Sequence, residues 1–183
     1  MNAATRLPAS RPLVDLDQPG NTADTSSKDK SRRRPRGTTP RTTVATSNGA
    51  INPGPPRLNA IYNELAGLNA DTYPNAGGVL LRVFLELSVD HEIDRQSLMS
   101  EADRAKAPLS KRLKVVADRM HQDGRINDQL RKAVHKVAES QHTIAAATVT
   151  FNQFVHNKYV HPKPAEVRTA WDELQPFLEQ VWA

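Results

Sequence analysis

The sequence predicts an all-α fold: a single compact helical bundle of about five to six helices over residues 56–183, preceded by a disordered basic tail over residues 1–55. Three observations predict it. Beyond position 56, apolar residues recur at three- and four-residue steps and strand-type alternation is missing. All nine aromatic residues lie beyond position 60, whereas eight of the thirteen prolines lie at or before Pro56. The net charge of +5 comes wholly from residues 1–50, with nine basic and four acidic side chains, while residues 51–183 carry sixteen of each.

Each element follows from its residues. The first 55 positions hold too few large apolar groups to offset the entropy of ordering them. Within them Lys28, Lys30, Arg32, Arg33, Arg34 and Arg36 place six basic residues in nine, followed by a Thr/Pro-rich stretch to Thr46. Pro53-Gly-Pro-Pro56 punctuates the entry to the folded part. Pro56 suits a first helical turn, and Leu58, Ile61, Tyr62, Leu65 and Leu68 mark the first helix. A second starts near Pro74 and runs through Val89. Val79, Leu80, Leu81, Val83, Phe84, Leu85 and Leu87 leave it little polar face, as befits a central helix packed on several sides. Gly77 and Gly78 lower helix propensity there, so close packing is their expected role.

Residues 92–108 are polar and contain Pro108, which reads as a loop with a short turn. Leu109, Leu113, Val116 and Met120 mark a third helix that stops at Gly124; Ile126, Leu130, Val134 and Val137 mark a fourth. A fifth, about 143–157, carries Ile144, Phe151 and Phe154, and Pro162 bars its extension. The last follows Pro164 with Val167, Trp171, Leu174, Phe177, Leu178 and Val181, and Pro176 inside it should kink it or remove one backbone bond.

Composition excludes several functions. Without cysteine there is no disulfide, thiolate metal site or cysteine nucleophile. No apolar run approaches the roughly 20 residues that span a bilayer, and Met1–Arg6 lacks the apolar stretch of an export signal. A soluble, cytoplasmic protein is the expectation, with no membrane partner. The six histidines show neither HxxxH nor HExxH spacing, so no metal and no cofactor are expected.

Four blocks carry a resemblance: Tyr73-Pro-Asn-Ala76, Val79-Leu-Leu-Arg-Val-Phe-Leu-Glu-Leu-Ser88, Phe154-Val-His-Asn-Lys-Tyr-Val-His161 and Ala170-Trp-Asp-Glu-Leu-Gln-Pro-Phe-Leu-Glu179. With them the chain resembles a helical module at the carboxy end of bacterial ParB-like and defence-associated proteins, similar in outline to HEPN-type bundles. The resemblance covers about residues 56–183. It implies a partner-docking role in a bacterial DNA-processing or defence system. In those proteins the module follows a larger domain, whose activity does not carry over. HEPN nucleases pair an arginine with a histidine four to six residues later, the one stabilising phosphate charge and the other moving a proton. Here His156, Asn157 and His161 form the matching polar cluster, but no arginine lies between Arg131 and Arg168. An asparagine at a helix end ordinarily bonds local backbone, so a capping role is expected for His156 and Asn157, with a divergent ribonuclease as the alternative.

Further candidates come from charge and exposure. Arg82 and Glu86, four apart in the central helix, form an expected structural ion pair. Residues 106–136 hold nine basic and three acidic groups. In that stretch Lys111, Arg112, Lys114, Arg119, Arg125, Lys132 and Lys136 lie off the apolar stripes, and with the tail they form a candidate phosphate-binding set for DNA or RNA. The alternatives are solvated surface charge for the stripe, the usual role of cations opposite an apolar face, and a solubilising linker for the tail. No aromatics interleave in the tail, so base stacking is not expected from it. Trp171, Phe177 and Trp182 are candidates for contact with a second copy or another protein subunit, because Trp182 stands one residue from the terminus, where full burial is hard. The expected function is a non-enzymatic helical interaction module with a nucleic-acid-attracting tail; the alternatives are the ribonuclease and a stand-alone nucleic-acid binder.

Overall fold

The computed structural model describes residues 41–48, 50–140, 158 and 161–183. Among them are six α-helices: α1 (Pro56–Gly67), α2 (Pro74–Gln96), α3 (Glu101–Lys106), α4 (Leu109–Gln122), α5 (Asp128–Glu139) and α6 (Pro164–Val181). The described residues form no strand beyond one isolated bridge between Thr43 and Asn69. The all-α expectation holds. The basic run Lys28–Arg36 and the helix expected over 143–157 lie outside the described residues.

α2 is the hub, packed on α1, α4 and α6, while α4 packs on α5 and α5 on α6. Its apolar circumference explains this arrangement: Leu81, Phe84, Leu85, Val89 and Ile93 are all fully buried. Tyr62 of α1, Phe84 of α2 and Trp171 of α6 meet in a three-ring cluster with centroids 5.9–6.1 Å apart. Offset rings at that spacing add to the area they bury.

The polar stretch 92–108 is mostly helical rather than a loop. α2 continues to Gln96 because Glu92 and Ile93 are buried, and Arg95 binds the Glu92 carboxylate from the next turn at 2.9 Å through both Nε and Nη2. Ser97, at φ 51° in the left-handed region, ends the helix, and the Leu98 N–H turns back to the Ile93 carbonyl at 3.0 Å. Ser100 then caps α3 by accepting from the Asp103 N–H at 3.1 Å. The α4–α5 turn uses Gly124 at φ 72°, and Asn127 Oδ1 caps α5 through the Leu130 N–H at 2.8 Å. α6 runs unbroken through Pro176.

The body also begins earlier than residue 56, which corrects the expected boundary at residue 55. Residues 41–48 form a strap laid across α1 and α6. Val44 and Ala45 are fully buried, and beyond them Ile51 is nearly so. The Val44 N–H donates to the Leu68 carbonyl, the Ala45 N–H to Leu65 and the Ala70 N–H to Thr42, at 3.2, 3.0 and 2.7 Å. A β-carbon on Gly77 would lie 2.8 Å from Val44 Cγ2 and 3.3 Å from Val167 Cγ1, so glycine lets α2 start directly under the strap. A Val-Ala pair among threonines is too short an apolar signal to read as an element, because its burial depends on partners 20 to more than 120 positions away.

Candidate nucleic-acid and partner surfaces

The strap is held at its start by one side chain. Arg41 Nη1 donates to Asp172 Oδ1 at 2.6 Å, Nη2 to the Val44 and Arg168 carbonyls at 3.1 Å each, and Nε to the Thr43 carbonyl at 3.1 Å. All three nitrogens of the planar fork are engaged, which a lysine cannot match. Next along the strap, Thr46 Oγ1 donates to Gln175 Oε1 at 3.0 Å, the atom that also accepts from Trp171 Nε1 at 3.0 Å. The Tyr62 hydroxyl donates to the Thr46 carbonyl at 2.9 Å, and burial, aided by Glu179, raises its pKa. This anchor was not read from the sequence, since Arg41 stands alone in a Thr-rich run and its partners sit on α6.

The candidate phosphate-binding stripe is largely paired to the protein's own carboxylates. Arg112 is buried and donates to Glu86 and Asp90 of α2, while its Nε has no hydrogen-bond partner among the described residues. Arg125 reaches Glu92, fully buried on α2, and also the Gln180 carbonyl in the last turn of α6. Both arginines therefore tie helices together. Arg119 pairs with Asp123 at 3.0 Å and Lys132 with Asp128 at 2.7 Å, both along their own helices. Lys114 pairs with Glu139 at 2.8 Å across the hairpin. Lys111 and Lys136 are exposed.

Asp118 of α4 is a further junction that sequence reasoning missed. It accepts from Arg131 Nη1 at 3.2 Å and meets His135 Nε2 at 2.9 Å, both on α5. Hydrogen bonds from Lys132 and Arg131 hold the Asp128 carboxyl down at about 2. Lys114 likewise lowers Glu139.

The Arg82–Glu86 pair forms, at 3.7 Å, but Arg112 makes the closer contact with Glu86. Burial pushes the Arg82 pKa down, opposed by Glu86 and reinforced by Arg112. The two arginines thus share one carboxylate, an arrangement that periodicity within one helix cannot reveal.

The aromatic candidates for a partner surface turn inward. Trp171 and Phe177 are fully buried. Trp182 is half-buried against the core, stacked on His91 with centroids 4.8 Å apart, its indole N–H donating to Ser88 Oγ at 3.2 Å. Trp182 is thus not fully buried, as its place one residue from the terminus leads one to expect, but α2 supplies both a ring for it to stack on and a hydroxyl to accept its hydrogen bond. Among the described residues the large apolar side chains left exposed are Tyr73 at 56% and Val79 at 41%, both at the start of α2.

Of the ribonuclease candidates, His156 and Asn157 lie outside the described residues, and His161 is exposed in the loop before α6. No group of three or more His, Cys, Asp or Glu among the described residues is placed to hold a metal ion. No helix among them is long and apolar enough to cross a membrane. Two of the resemblance blocks fall within single helices, Val79–Ser88 in α2 and Ala170–Glu179 in α6. No family model, curated protein or solved structure matches the chain.

Proposed function

We propose that the protein is a non-catalytic helical interaction module that presents a basic arm to nucleic acid, in the kind of bacterial DNA-processing or defence assembly to which its resemblance points. The observation that supports this reading most is how the body uses its own cations. Arg112 and Arg125 are spent inside the bundle, and Lys114, Arg119, Arg131 and Lys132 each have a carboxylate at 2.7–3.2 Å. The densest run of cations in the sequence is then Lys28–Arg36, which ends five positions before Arg41, the residue that fastens the chain to α6. Phosphates neutralised by such an arm release counterions, so its binding falls steeply with salt and reads no sequence. Tyr73 and Val79 give the docking half of the reading an exposed apolar surface for a second protein subunit.

Fluorescence anisotropy with a labelled duplex and a labelled RNA, at several salt concentrations, tests the arm. Deleting residues 1–37 should weaken binding at least tenfold and reduce the log–log salt slope by about 5, one phosphate per lost basic residue in the 28–36 run. An unchanged affinity and slope would move the site onto the body and end this reading. The same RNA should stay intact; cleavage lost on His161→Ala would instead establish the ribonuclease.

A further inference from the structure

The strap occupies its own groove as a peptide ligand would. The groove takes an arginine at one end, against Asp172 and the Arg168 carbonyl, two fully buried small apolar residues, Val44 and Ala45, in the middle, and a threonine hydroxyl at Gln175. The Leu65, Leu68 and Ala70 backbone supplies three further hydrogen bonds. All of these partners belong to α1, α6 or the α1–α2 loop. None of them is supplied by the strap's neighbours in sequence, so the groove does not distinguish its own strap from the same segment of another copy.

The connection between strap and helices also permits the second source. Gly54 is exposed with open space around its α-carbon, between Pro53 and Pro55, and the chain bends at Gly54 and Pro55 to keep the strap on its own body. A residue that precedes proline is biased toward extended backbone, and glycine adopts either state without steric cost. Opening the bend at Gly54 carries the strap away from its own groove while every groove contact remains available in a second copy. Exchange of an identical element is a low-cost route to a closed two-fold dimer.

We infer that the groove between α1 and α6 is a docking site for the strap of a second copy of this chain, giving a strap-exchanged dimer in equilibrium with the monomer. Arg41 of each copy then pairs with Asp172 of the other, and each particle carries two basic arms. Two arms on one particle raise the effective concentration of the second once the first is bound. The exchange itself does not depend on what the arms bind.

A charge reversal tests it with full-length chains. Arg41→Asp places two carboxylates at the anchor, and Asp172→Arg places two guanidinium groups there, so each variant alone is mismatched in its own groove and in an exchanged one. In a mixed exchanged dimer both grooves again join opposite charges. Native mass spectrometry of the two variants incubated together at high concentration should show a one-to-one dimer that neither forms alone. A mixture that stays monomeric, with each variant keeping its helical circular dichroism, overturns the inference.

If either variant loses its helices, a cysteine pair decides. Thr43 and Asn69 face each other without bonding directly, flanked by the Val44–Leu68 and Ala70–Thr42 hydrogen bonds, the antiparallel position at which α-carbons come closest. The chain contains no cysteine of its own. Thr43→Cys mixed with Asn69→Cys should give, on oxidation, a disulfide-linked dimer in excess of either variant alone. No such excess overturns the inference, provided that the double variant closes its bond within one chain.

Discussion

Residues 106–136 hold nine cations and the strap holds one, yet the single arginine reaches farther in the fold than any of the nine. In the α4–α5 hairpin most cations meet carboxylates on their own or the adjoining helix: Arg119 with Asp123, Lys132 with Asp128, Lys114 with Glu139. Arg112 and Arg125 go further, into the α2 interface. The strap has almost no charge to settle and depends on groups more than 120 positions away. Abundance of charge and reach of charge are thus different properties. A dense local pattern tends to satisfy itself; an isolated arginine has nothing nearby to bind and is available for long-range closure.

The comparison can be broken most forcefully at the core beneath the strap. Trp171→Ala removes a fully buried ring and the indole that shares Gln175 with Thr46. It should cost about 3–5 kcal/mol in chemical denaturation, as large aromatic deletions do. Gly77→Ala should cost about 1–3 kcal/mol by overpacking, with protection lost first at the Val44 and Ala45 amides in hydrogen exchange. If those amides keep their protection, the tight approach of α2 is not what positions the strap.

Smaller effects sharpen the contrast within the hairpin. Arg112→Ala should cost about 1–3 kcal/mol, since it strips Asp90 of its donor and leaves Glu86 only the longer Arg82 contact, although both carboxylates are partly exposed and water offsets some of the loss. Lys111→Ala, on the adjacent position but exposed, should change stability by less than about 0.5 kcal/mol. Equal effects at 111 and 112 would erase the distinction between solvated and inward-turned cations.

The smallest effect is a titration. Asp128 is depressed from its ordinary 3.8 to about 2 by Lys132 and Arg131. A depressed carboxyl contributes its full stabilisation above its unfolded value and loses it as pH falls through its folded one. Carbon-13 NMR of the side-chain carboxyl should therefore give a midpoint near 2, with the first turn of α5 loosening only in strong acid. Lys132→Ala should raise that midpoint.

Local pattern was enough to place α1, α4, α5, α6 and the start of α2, but not α3, which buries no residue. The apolar steps of Leu109, Leu113, Val116 and Met120, and of Val167, Trp171, Leu174 and Phe177, are the buried faces of α4 and α6. The central role of α2 was legible in its apolar circumference, and the close-packing role of Gly77 in the presence of glycine where helix propensity argues against it. The end of α2 was not legible, because Glu92 reads as polar and becomes buried only when Arg95 and Arg125 surround it. The inward pairing within the cationic stripe was not legible for the same reason: the carboxylates that meet Arg112 and Arg125 lie on a different helix.

What the sequence determined by itself is the class of fold, the faces that must be buried and the separation of a basic run from an electrically balanced body. These depend on residue type and spacing, which act over one or two helical turns. Only the tertiary structure decided that residues 41–48 belong to the body, that Trp171 and Phe177 are fully buried and that Arg112 and Arg125 are tied to α2. Each of those outcomes depends on which distant group arrives within about 3–4 Å, and hydrogen bonds and ion pairs act only at that range.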